Sequence, residues 1–232
     1  MRAEPVPSTT GAQGGVRPYA DRGWLVSRHG VTSAKPLIKQ LAAAVGLLRA
    51  GPHLIGYAIG RSMLVRQRAF TAASERIARL AGFTGVYTRQ AFYRRTRRGV
   101  GRDVFFGFSS LLSKCDTVIG DRVYIGRFCI IGLAEIGDDV MLADGVQVLS
   151  GRHQHGRSAG GGLWRDNEQV FTKVTIGRGA GVGAGAIVMA DVGERAVVGA
   201  GAVVVKPVPA GASVAGVPAV PIESSRRLAD EP

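Results

Sequence analysis

Residues 149–156, LSGRHQHG, hold two of the chain's four histidines, His153 and His155, one residue apart. An imidazole titrates near neutral pH, so either ring suits removal of a proton from a hydroxyl, a role that contributes about 10²–10⁴ in rate. Asp144, Asp166 and Glu168 are the nearby carboxylates that could orient such a ring, and the sequence does not rank them. A metal reading is weaker, because two histidines at i and i+2 fall short of the three protein ligands a catalytic zinc takes. Cys115 and Cys129 form neither a CxxC unit nor a disulfide framework and read as small buried hydrophobes, which suits a reducing cytoplasm.

The histidine pair interrupts a repeat. Aliphatic residues fall at Ile119, Ile125 and Ile131, then one residue early at Ile136, then at Leu142 and Val148. After the interruption the series resumes at Ile176, Val182 and Val188, and then, two residues early, at Val192, Val198 and Val204. Glycine follows Ile119, Ile125, Ile131, Ile136, Ile176, Val182 and Val198. A period of six fits neither an α-helix nor a hairpin series; it is the pattern of a parallel β-helix built from hexapeptide turns. Each hexapeptide supplies one short face, three faces make a triangular coil, and stacked coils bury the inward aliphatics. Glycine or alanine beside the aliphatic residue tolerates the tight corner. About five coils fit between Val104 and Val214.

The preceding chain has another character. Residues 1–103 hold 18 Lys/Arg against 4 Asp/Glu, whereas residues 104–232 hold 12 against 13. Residues 1–34, rich in Gly, Pro, Ser and Thr, read as a disordered tail with Trp24 as a candidate anchor. Residues 35–102 read as a basic helical region, with apolar residues at helix spacing from Leu37 to Leu48, a break at Gly51-Pro52, and a second helix over about 65–81 ended by Gly82. Arg49, Pro52, His53 and Arg61 interrupt its most apolar stretch, which argues against a transmembrane helix. No apolar leader follows Arg2 and Glu4. Such helices can lie on an anionic membrane or pack on a neighbouring layer or subunit. Residues 92–98, FYRRTRR, set aromatics beside arginines as nucleic-acid binders do, but no nucleic-acid motif accompanies them. The β-helix is expected over 103–222, with a short tail over 223–232.

Residues 174–222, VTIGRGAGVGAGAIVMADVGERAVVGAGAVVVKPVPAGASVAGVPAVPI, resemble the C-terminal signature of the left-handed β-helix, hexapeptide-repeat acyltransferases, including maltose, serine, xenobiotic and cell-surface-saccharide O-acetyltransferases. The resemblance covers roughly 104–222 and is most specific at VVGAGAVVVKPVPAG and VAGVPA. It implies a mainly β, left-handed parallel β-helix with an extruded loop, a homotrimer, and acetyl-CoA as acyl donor bound between two subunits. It also implies a loop histidine as general base, which the alignment of VQVLSGRH assigns to His153, with His155 as the competitor. Ala184 and Ala200 fall at the positions where the pantetheine arm lies against backbone, and Lys206 at the lysine near the nucleotide end of CoA.

Several positions depart from the family pattern. Val205 stands where a hydroxyl residue is common, and Val220 where many members carry Lys or Arg, with Arg226 and Arg227 just beyond. VFFGFSSLL, residues 104–112, replaces the asparagine-bearing segment of sugar acetyltransferases. The zinc enzymes that share this fold use three histidines at another spacing, so no metal is expected. The expected activity is O-acetyl transfer to a saccharide or glycan precursor in the cytoplasm, with membrane contact through the basic region and no nucleic-acid partner. The alternative is a non-catalytic β-helix scaffold whose basic helices bind anionic lipid or nucleic acid.

Overall fold

The computed structural model describes residues 34–96, 99–151 and 171–222. Residues 38–232 form one compact unit and residues 1–37 a second, of which only 34–37 are described. Trp24, Arg97, Arg98, His153, His155, Asp166, Glu168, Arg226 and Arg227 lie outside the described residues.

Three helices open the described chain: α1 (Ala34–Met63), α2 (Arg66–Ala78) and α3 (Gly82–Thr96). The expected break at Gly51-Pro52 does not occur, and α1 runs through Pro52. Proline withholds a single N–H from the helix ladder, and packing of the surrounding turns offsets that loss. α2 buries Ala69, Phe70, Ala73 and Ile77, and it ends at Ala78, a few residues short of the expected 81 and before Gly82, which begins α3 with φ +71°.

The remainder winds into a left-handed parallel β-helix. Its first face stacks Val100, β3 (Val118–Ile119), β6 (Ala134–Ile136), β9 (Val174–Ile176), Val192 and Val208. The second stacks β1 (Phe105–Phe106), β4 (Tyr124–Ile125), β7 (Met141–Leu142), β10 (Gly181–Val182), β12 (Val197–Val198) and β14 (Ser213–Ala215). The third stacks β2 (Leu111–Leu112), β5 (Ile130–Ile131), β8 (Gln147–Val148), β11 (Ile187–Val188) and β13 (Val203–Val204). Five full coils and two faces of a sixth result, so the sequence count of about five stands. All twelve aliphatics of the six-residue series point inward, none more than 2% exposed. Each stacks on its equivalent one coil away, as Ile125 on Leu142 and Leu142 on Val182.

Steps from the first face to the second and from the second to the third are always six residues between inward side chains, as in Ile119–Ile125–Ile131 and Ile176–Val182–Val188. Every irregularity sits at the corner between the third face and the first: Ile131 to Ile136, Val188 to Val192, and the long insertion between Val148 and Ile176. Register is therefore rigid around two corners, and the third is free to vary.

The glycines that follow inward residues answer a close approach of the next coil. A Cβ at Gly183 would stand 2.4 Å from the Ala200 nitrogen. The left-handed backbone falls elsewhere, three residues before an inward side chain, at Gly185 and Gly201 but also at Arg122 (φ 58°) and Phe128 (φ 59°). Gly183→Ala should destabilise the fold by about 1–3 kcal/mol, because backbone on the neighbouring coil has to move. Chemical denaturation would measure it.

Carboxylates stitch successive coils together from outside. Asp121 accepts from the Arg102 backbone N–H at 2.7 Å, and Asp144 accepts from the Arg127 N–H at 2.7 Å and its Nη2 at 2.6 Å. Asp139 takes Nε of Arg122 at 2.6 Å. Hydrogen bonds from Arg102, Arg122 and Arg127 respectively hold the Asp121, Asp139 and Asp144 carboxyls below the usual range. Their contribution is complete above the unfolded value of about 3.9 and is lost as pH falls through the lower folded values. The melting temperature should decline below about pH 4, and less steeply in Asp144→Asn.

α2 and α3 close the N-terminal end of the coil. Tyr93 Oη accepts from the Leu112 N–H at 3.2 Å and shares a 2.5 Å hydrogen bond with Ser74, whose hydroxyl donates to the Leu112 carbonyl at 2.9 Å. Gln67 donates to the Ser113 carbonyl and accepts from the Cys115 N–H, at 2.7 and 3.0 Å. Arg89, fully buried, donates to the carbonyls of Phe106, Ile77, Ala78 and Leu80. Gln67, Ser74 and Tyr93, with Arg89 at Phe106, meet peptide groups of the first coil's edge that would otherwise be left unpaired, and Arg89 also caps the carbonyls at the end of α2. The other end is closed by β15 (Val220–Pro221), antiparallel to β14, and by the Ala219 N–H donating to the Val203 carbonyl at 2.8 Å.

Candidate active site

The insertion that carries the histidines leaves the third face after Val148 and rejoins the first at Val174. Its root is fixed. The Thr172 N–H donates to the Ser150 carbonyl at 2.9 Å, closing the loop at its neck. Ser150, only 2% exposed, also accepts at Oγ from the Leu133 N–H of the preceding coil at 2.9 Å. Gly151 has a φ of +83°, and a Cβ there would meet the Thr172 side chain at 2.8 Å. Lys114 Nζ lies 3.4 Å from the ring centroid of Phe171, three residues before β9. His153 follows this neck by two residues, so the coil fixes where the histidine pair departs.

The other expected residues fall on two corners. Ala184 and Ala200 are exposed at the corner between the second and third faces, in successive coils, and the Gly201 N–H donates to the Ala184 carbonyl at 2.8 Å. Gly185 and Gly201 beside them need their positive φ, and a Cβ on either would meet no atom within 4 Å. Gly181, on the outer side of β10, has neither a positive φ nor a neighbour within 4 Å, so the coil itself does not require a glycine there. Lys206, exposed, and Val205, half-buried, lie at the corner of the loop neck, between the third face and the first. The structure thus brings Ala184 to Ala200, and puts Lys206 on the loop's corner, but separates the two groups by the width of the third face.

Asp144 stands on the alanine corner and is engaged there by Arg127, whose Nε donates to it at 2.9 Å and Nη2 at 2.6 Å. Cys129 is buried, and burial pushes its thiol up to about 11, so it offers no thiolate at neutral pH. The Ser150–Thr172 neck was not singled out in the sequence, although Ser150-Gly151, ending two residues before His153, was the available signal.

No protein-family model matches the sequence, and no curated protein does. Among solved structures, the chain is similar to a maltose O-acetyltransferase from Clostridium difficile 630, at 25% identity and TM-score 0.57, over 68% of this chain and 86% of that one. It is similar in fold to a hexapeptide-repeat acetyltransferase from Vibrio cholerae, at 18% identity and TM-score 0.53, over 69% and 93% of the two chains. A galactoside acetyltransferase in complex with coenzyme A gives 20% identity and TM-score 0.52, over 72% and 86%. In fold the chain is similar to hexapeptide-repeat acetyltransferases, consistent with the resemblance carried by residues 174–222.

Proposed function

We propose that the chain transfers an acetyl group from acetyl-CoA to a hydroxyl of a saccharide or glycan precursor, with His153 as general base. The observation that carries the reading is the large break in the coil, pinned at Ser150–Thr172, three residues before His153. Similarity to a maltose O-acetyltransferase supports the acceptor class. The imidazole takes the hydroxyl proton as the oxygen attacks the thioester carbonyl. The tetrahedral species then collapses, the C–S bond breaks, and the proton passes to the departing thiolate. Alignment of hydroxyl and thioester supplies much of the remaining rate.

Ala184 and Ala200 lack side chains beyond Cβ, so an extended pantetheine arm can reach the backbone there, and Lys206 offers a cation to a phosphate. Because these groups occupy different corners, a donor touching both draws them from two subunits, which favours a homotrimer with donor sites between subunits. A mass of three chains by light scattering checks that assembly.

The testing experiment is thiol release from acetyl-CoA by the wild-type protein against pooled sugars, amino acids and aminated antibiotics. Release dependent on the sugar pool is expected. Release with no pool, or with the amino-acid pool alone, would contradict the acceptor assignment.

A further inference from the structure

The outer side of α1 carries a continuous apolar stripe. Leu41, Val45, Leu48, Pro52, Ile55, Ile59 and Met63 recur at helical spacing, and all are exposed, Leu48 and Met63 at 79% and Ile55 at 63%. Exposed Leu64 and Val65 prolong it beyond the helix. The opposite side of α1 is committed to protein: Ala50 and Tyr57 are buried, Tyr57 packs edge-on against Phe70 and Phe92, and a Cβ on Gly46 would stand 2.5 Å from Tyr87. Solitary exposed apolar residues are ordinary, whereas a contiguous run this long marks a surface that something covers.

Charge identifies the partner. Residues 34–96 contain eleven Lys/Arg and one acidic residue, Glu75. Beside the stripe, a groove of about 510 Å³ between α1 and α3 is lined by Ala44, Leu47, Tyr87, Ala91 and the exposed Arg94 and Arg95. A second copy of the helix would bring cation against cation, while an anionic bilayer offers acyl chains to the stripe and phosphates to the arginines.

Gln40–Met63 is long and apolar enough to cross a membrane, with mean hydropathy 1.2, because Gly51-Pro52 does not interrupt it. A crossing would nevertheless strip Tyr57 from Phe70 and Phe92. We infer that α1 lies flat in the headgroup region of an anionic bilayer, with Leu41, Leu48, Ile55 and Ile59 inserted and Arg94 and Arg95 against lipid phosphate. This reading is independent of the acyl transfer proposed above.

The test is flotation of the full chain with phosphatidylcholine vesicles containing about one third phosphatidylglycerol, against phosphatidylcholine alone. Wild type should float with the anionic vesicles and be released by high salt only in part, since the apolar stripe is unscreened. Leu48→Glu/Ile55→Glu/Ile59→Glu should cut binding at least about tenfold with an unchanged melting temperature. Should that triple change lower the melting temperature, Ile55→Ser/Ile59→Ser takes its place with the same expected direction. Wild type left unbound, or a stripe variant floating as well as wild type, overturns the inference. An unbound wild type whose stripe variant also loses mass in light scattering would assign the stripe to self-association instead.

Discussion

In His153→Ala, acceptor-dependent CoA release should fall by about 10²–10⁴ in kcat, the usual contribution of a positioned general base. The KM for acetyl-CoA should stay near wild type, because the donor contacts assigned to Ala184, Ala200 and Lys206 belong to regular coil and not to the loop. That split separates loss of chemistry from loss of folding or of donor binding. His155→Ala should retain most of the turnover. The reverse pattern would keep the mechanism and move the base by two residues. Equal turnover in both variants and wild type would remove the imidazole from the reaction altogether.

Arg89→Met should lower unfolding free energy by about 3 kcal/mol, the scale of losing hydrogen bonds from a buried charged donor. Four carbonyls, on Ile77, Ala78, Leu80 and Phe106, would lose this donor beneath α3. Burial already lowers the guanidinium pKa, and Nη2 makes no hydrogen bond to the protein, so part of the loss is offset when the charge is removed. Methionine keeps the bulk of the stem, which separates lost hydrogen bonds from a cavity. Denaturant unfolding gives the number, and a change within about 0.5 kcal/mol would mean that the Arg89 hydrogen bonds add nothing net to the hold of α2 and α3 on the coil's end.

The β-helix was legible because its repeat is enforced by geometry: every inward residue stacks on the one a coil away, so the pattern survives in plain text from Ile119 to Val204. The role of glycine was only half legible. Period and position foretold a crowded corner, but the left-handed residue lies three positions before the inward side chain, and Arg122 and Phe128 occupy it as well as glycine does.

α3 lies within the region read as helical but was not drawn as a separate helix, for a definite reason. Its buried face, Gly85, Thr88, Arg89, Phe92 and Tyr93, has helical spacing but only two of its five members are large apolar residues. The same fact changes the meaning of FYRRTRR: Phe92 and Tyr93 are fully buried, so they cannot serve as stacking platforms for bases. The place of the insertion was legible in the sequence, since a loop announces itself by breaking a period. What a single sequence could not convey was that Lys206 shares the loop's corner while Ala184 and Ala200 do not, because corner membership depends on which turns are shortened.

The central claim is that the coil presents a base and an activated acyl donor to a hydroxyl. Incubation with acetyl-CoA carrying an isotopic label in the acetyl group, followed by mass spectrometry of protein and acceptor, tests it most directly. The account predicts label on the sugar as an alkali-labile ester and none attached covalently to the protein. Label held on the protein, or none on any acceptor while acetyl-CoA fails to bind, would contradict it.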